Sequence, residues 1–107
     1  METKNLTGQA INWAVAKCEG VEVADGFDDT CPEYSSNWSE GGPIIEREKY
    51  ESMWLPRQQE WYVVRKQHAT DGHIINCGFG PTLLIAAMRC YVASKLGNDI
   101  DIPKELC

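Results

Sequence analysis

Four side chains able to bind a metal, His68, Asp71, His73 and Cys77, fall within ten residues of polar, glycine-containing chain. Zinc takes imidazole and thiolate ligands, but the spacing H-x4-H-x3-C has neither the paired cysteines of a zinc knuckle nor the H-E-x-x-H helix of a metalloprotease. Two surface histidines and a half-buried thiol account for it, so no metal is assigned. His73 and Cys77 also name a base and a nucleophile, yet four residues of separation in a loop set no geometry for proton transfer. Glu46 and Glu48 are formally paired carboxylates. Flanked by Arg47 and Lys49, they read as a solvated charged face, with no shielded pocket to raise a carboxyl pKa. No catalytic constellation emerges, no cofactor is implied, and the chain reads as a non-enzymatic protein.

Binding chemistry is better supplied. Trp38 stands in a polar stretch just ahead of Gly41-Gly42-Pro43, where a flat ring can stack on a base or fill a partner's pocket and glycines admit a closely approaching ligand. Gly78-Phe79-Gly80 lacks the third glycine of a dinucleotide fingerprint and the Lys-Ser/Thr of a P-loop. Its position matters more: Gly80-Pro81-Thr82 opens a helix whose first N–H groups can hold an anion, with the Thr82 hydroxyl beside them. A helix start bound only to water or to its own loop is the plainer alternative. Arg47 and Arg89 are the cations placed to face such a site, although either suits a solvent-facing or salt-bridged role. The candidate ligand-binding set is therefore Trp38, Gly41, Gly42, Pro43, Arg47, Gly80, Thr82 and Arg89.

The elements that must position these residues follow from periodicity and punctuation. Thr7 caps a helix from about Gly8 to Cys18, closed by Gly20, with Ala10, Trp13, Ala14 and Lys17 on one stripe. Val21 to Ala24 alternates like a short strand before the Asp25-Gly26 turn. From Phe27 to Gly42 the composition is that of a structured loop. Pro43-Ile44-Ile45 and the charged run to Lys49 fit a helical turn or a strand equally. Tyr50–Leu55 and Trp61–Arg65 read as an antiparallel pair joined by Pro56 to Glu60, and Ile74 and Ile75 fit a third short strand. The final helix runs from about Pro81, suited to a first helical position, to Leu96, with Gly97 as a left-handed cap. Trp13, Trp54 and Trp61 sit in regular elements and are assigned to the core. The last helix is apolar over more than half its circumference, so it must be covered on two sides, by sheet plus first helix or by another chain. A homodimer is expected. The tail Ile100 to Lys104 alternates like an extended edge.

These elements define an α+β chain, a small antiparallel sheet of two to four strands with an N-terminal and a C-terminal helix. At 107 residues they fit one domain, residues 1–107. No apolar run reaches the roughly 18 residues of a membrane span, and the N-terminus shows no signal or transit segment. The formal charge of −6 argues against direct nucleic-acid binding, which needs clustered Lys and Arg. Acids gather in Asp25, Asp28, Asp29 and Glu33 and in Asp99, Asp101 and Glu105, and read as solvated loop and tail. Five cysteines without a C-x-x-C pair argue for reduced thiols, with Cys18 and Cys90 acting as small hydrophobes in helical runs.

Three segments carry a family resemblance: Leu6 to Gly20, Trp38-Ser-Glu-Gly-Gly-Pro-Ile-Ile-Glu-Arg-Glu48 and Gly80-Pro-Thr-Leu-Leu-Ile-Ala-Ala-Met-Arg-Cys-Tyr-Val-Ala-Ser-Lys-Leu-Gly97. Together they resemble the NinX-like family of small phage proteins, leaving Ser52 to Phe79 outside the likeness and Leu83 where the family's Gly-Pro-Thr-Pro would have proline. The resemblance implies an accessory protein of a temperate phage or prophage, not a virion part, working in the host cytoplasm. The expected function is sequestration of a small nucleotide-like ligand to blunt a host defence signal. The alternative partner is a host protein, inhibited through an acidic and aromatic surface.

Overall fold

The computed structural model describes Leu6 and residues 8–21, 31–65 and 76–97. Along these the elements are α1 Gly8–Cys18, α2 Trp38–Glu48, β1 Glu51–Leu55, β2 Glu60–Arg65, β3 Asn76–Gly80 and α3 Leu83–Leu96. The architecture is α+β, with an antiparallel sheet in the order β1-β2-β3 and a helix at each end of the element order. Thr7, residues 22–30, Ile74, Ile75 and the 98–107 tail lie outside the described residues, so the cap, short strand, Asp25-Gly26 turn, acidic clusters beyond Glu33 and extended edge assigned there do too.

The helix α1 ends as glycine punctuation requires. Gly20 has φ 75°, and the Val21 and Gly20 N–H groups return to the Ala16 and Lys17 carbonyls at 2.9 and 3.2 Å. This is the paired closure that satisfies the last orphan carbonyls of a helix.

The helix α2 corrects the reading of residues 38–42 as loop. Asn37 is its N-cap, its side chain accepting from Ser39 N–H at 3.0 Å, and Glu40 places a negative charge in the first turn, where the helix dipole favours it. Pro43 sits inside the helix. The bond it cannot donate would have gone to Ser39, on an exposed part of the first turn, so the loss falls away from the core. Lys49 closes α2 in the left-handed region, φ 57°, ψ 47°, with Tyr50 N–H returning to the Ile45 carbonyl at 3.3 Å.

The helix α3 begins later than expected, because Thr82 is its cap: the hydroxyl accepts from Ile85 N–H at 3.1 Å, which puts Pro81 before the helix rather than in its first turn. Gly97 takes a positive φ of 86° but with ψ −172°, outside the left-handed helical region.

In the sheet, Trp54, Trp61 and Gly80 are cross-strand partners, as are Ser52, Val63 and Gly78. This face receives α3. A Cβ on Gly78 would overlap the Ala86 carbonyl oxygen and approach Cys90 N to 2.7 Å, and one on Gly80 would lie 2.8 Å from Ile85 Cγ2. The two glycines therefore let helix and strand meet backbone to backbone. With α1 and α2 packed on its remaining sides, α3 buries Leu84, Ala86, Ala87, Met88, Cys90, Tyr91 and Val92. Both sides of this apolar helix are thus covered within one chain. Ile11, Val15, Ile44 and Val63 complete the core, each fully buried aliphatic side chain contributing about 1.5–3 kcal/mol. Trp13 packs partly buried against it, with Lys17 Nζ 5.3 Å from its ring centroid. Trp54 is not core. It is 41% exposed, because β1 is the edge strand and α3 lies over β3 and β2.

Candidate functional site

Three segments converge on one groove. The first is the loop before α2, fixed from inside: Asn12 on α1 accepts from both the N–H and the hydroxyl of Ser35, at 3.0 and 2.9 Å, and both residues are buried. Turn bonds from Ser36 and Asn37 N–H to the Glu33 carbonyl then aim the chain into α2. The second is the N-terminus of α2, where Trp38 is the first helical residue and its side chain stays 55% exposed. The third is the start of α3 with the strand beneath it. Trp61, opposite Gly80 in the sheet, stands against Trp54 edge to face at 5.5 Å between ring centroids.

Together these line a groove of about 520 Å³, formed by Ser35, Ser36, Trp38, Trp61, Pro81, Thr82, Leu83, Leu84 and Ile85. Its size suits a small organic ligand, and its walls have the mixture such sites use, mostly apolar and aromatic with a few hydroxyls. The indole of the mid-chain segment and the amino end of α3 thus border one cavity.

Of the residues assigned to binding from sequence, Trp38 and Thr82 line this groove. The glycines act behind it. A Cβ on Gly41 would overlap the Tyr34 carbonyl oxygen and come within 2.7 Å of Leu84 Cδ2, so this glycine lets α2 press against the Tyr34 backbone and the first turn of α3. Gly42 faces the Trp38 ring, its would-be Cβ 3.5 Å from Cε3. Pro43 is exposed on α2, and Gly80 supports the wall from the sheet. Trp61, Ser35 and Ser36 were missed. Its place in a regular element assigned Trp61 to the core, and only its pairing with Gly80 in the sheet, which leaves space beside it, shows that it opens on a groove.

The two arginines are engaged elsewhere. Arg47 forms a forked ion pair with Glu19, at 3.0 and 2.9 Å, and donates to the Tyr91 hydroxyl at 3.1 Å. Tyr91 in turn donates a short hydrogen bond to Glu19, so one network ties the ends of α1 and α2 to the middle of α3. The Arg47 hydrogen bond holds the Glu19 carboxyl below its ordinary pKa. Burial and the bond to Glu19 push the Tyr91 hydroxyl up. Arg89 donates to the Leu6 carbonyl at 2.9 Å and to the Phe79 carbonyl at 2.7 Å, stitching the segment before α1 to β3, and burial lowers its pKa. Neither lines the groove.

Among the described residues no group of three or more His, Cys, Asp or Glu could hold a metal ion. His68, Asp71 and His73 lie outside them, and Cys77 is exposed on β3. Cys90 is buried, and burial pushes the partly buried Cys18 thiol up to about 11, which disfavours the thiolate a nucleophile needs. No helix among the described residues is long and apolar enough to cross a membrane.

A family model described as Bacteriophage P22, NinX matches residues 2–95. The match takes in Ser52 to Phe79, the stretch left outside the likeness read from the three segments. No curated protein matches the chain.

Proposed function

The chain belongs to the phage P22 NinX family, and we propose that it is a non-enzymatic accessory protein that binds a small nucleotide-like ligand in the Trp38 groove and withholds it from a host defence pathway. The observation that carries this reading is the shared cavity: an exposed indole and the first turn of a capped helix bound one groove of about 520 Å³. A base can stack on an indole, an interaction that contributes about 1–3 kcal/mol. A phosphate can meet the N–H groups in the first turn of α3 other than that of Ile85, which the Thr82 cap takes. Isothermal titration with a panel of nucleosides and cyclic mono- and dinucleotides should give saturable heat with at least one member, and Trp38→Ala should weaken it by roughly tenfold or more. The absence of heat from the whole panel would refute the proposal.

A second reading, an inhibitor docked on a host protein, is favoured by a different surface. On the sheet face away from α3, Met53 and Phe79 are 59% and 41% exposed, and Tyr62 lies against Phe79 at 4.9 Å between centroids. Aromatic and methionine side chains are enriched in protein interfaces, and an acidic chain would be steered to a basic partner. Stoichiometric capture of one host protein, lost on Met53→Ser with Phe79→Ser and kept on Trp38→Ala, would select this reading over the first.

A further inference from the structure

We propose that the groove selects ligands bearing no more than one phosphate group, so that its occupant is a nucleobase, a nucleoside or a nucleotide with a single phosphate. This rests on the reading that a nucleotide-like molecule occupies the groove. The lining consists of two indoles, proline, aliphatic side chains and the hydroxyls of Ser35, Ser36 and Thr82. None of these side chains carries a charge. The cations closest to the idea, Arg47 and Arg89, are held by Glu19 and Glu48 and by two backbone carbonyls respectively. What remains for an anion is the amino end of α3, equivalent to about half a positive charge. The Thr82 cap already occupies the Ile85 N–H there. Against it stand the exposed Glu40 in the first turn of α2 and a chain charge of −6. A second or third phosphate would meet this field without a counter-cation.

The hydroxyls supply what a neutral heterocycle needs. The Ser35 hydroxyl donates its proton to Asn12 Oδ1 and so presents lone pairs, whereas Thr82 accepts from Ile85 N–H and keeps its own proton to donate. An acceptor and a donor on one groove match the adjacent amino and ring-nitrogen groups of a base edge, with the indoles stacking on its faces.

Titration of the full chain with adenosine, its monophosphate and its triphosphate, and with the guanosine series in parallel, tests this at low and high salt. Nucleoside and monophosphate should bind within about tenfold of one another. The triphosphate should bind at least tenfold more weakly, with the gap narrowing as salt screens the repulsion. The variant Glu40→Gln, at an exposed residue outside the groove lining, should raise triphosphate affinity while leaving the nucleoside within a few-fold. A triphosphate that binds more tightly than its nucleoside, or binding that weakens with salt, overturns the charge selection while leaving nucleotide binding intact. Silence from every member of both series overturns nucleotide binding itself, and the selection with it.

Discussion

Asn12 and Ser35 hold each other through a single oxygen: Asn12 Oδ1 accepts both the Ser35 N–H at 3.0 Å and the Ser35 hydroxyl at 2.9 Å. Both residues are buried. The pair fixes the loop that carries the polar wall of the groove and leads into Trp38, so a buried side chain on α1, outside the groove lining, positions the residues that line it.

Asn12→Ala would leave the Ser35 N–H and hydroxyl without their acceptor in a buried place, a loss of about 1–3 kcal/mol. Urea denaturation should show a lower midpoint at unchanged slope. Ligand affinity should fall in the same variant, and restoring stability with an additive should recover only part of it, because the wall itself has shifted.

The Glu19–Arg47–Tyr91 network makes stability depend on pH at both extremes. The Glu19 carboxyl is held below its ordinary value, first by the Arg47 hydrogen bond, so its contribution is full above the unfolded value of about 4.3 and is lost as pH falls through the folded one. Tyr91 is raised, first by burial and then by its bond to Glu19. Its contribution is full below the unfolded phenol value of about 10 and is lost as pH rises through the folded one. Thermal melts across pH should show Glu19→Gln destabilised at pH 7, with the gap to the parent closing in acid. A gap that stays constant down to the acid transition would remove the network from this role.

Two glycines should respond in opposite directions to the same methyl group. Gly78→Ala forces a Cβ into the Ala86 carbonyl oxygen and the Cys90 backbone and should cost about 1–3 kcal/mol. Gly42→Ala, in mid-helix with only an ordinary contact to Trp38, should gain about 0.5–1 kcal/mol from helix propensity. Chemical denaturation of both variants side by side checks the pair.

What could be read from sequence was what local rules decide. Gly8–Cys18 stands as its periodicity implied, the β1–β2 pair forms around the expected turn, and the last helix ends at Leu96. The failures came where tertiary contact overrode local signals. Gly41-Gly42-Pro43 has the composition of a loop, yet helix α2 continues through it, because Gly41 must pass close to the Tyr34 backbone and Leu84. The capping pattern of Asn37 with Glu40 was the overlooked sign that a helix starts there. Membership of a regular element assigned Trp54 to the core, but it cannot tell an edge strand from a covered one. The groove was legible in part. Trp38 and the start of α3 stood out as chemistry, whereas the Ser35 wall depends on a bond to Asn12 that no spacing rule reveals.

The most direct test of the account is amide and indole chemical-shift mapping by NMR during titration with adenosine and its monophosphate. Shifts should concentrate at Ser35, Ser36, the Trp38 and Trp61 indoles and the amides of Leu83 to Ile85. A saturating ligand that instead perturbs Met53, Tyr62 and Phe79, or that leaves both indoles unmoved, would contradict the assignment of the groove as the binding site.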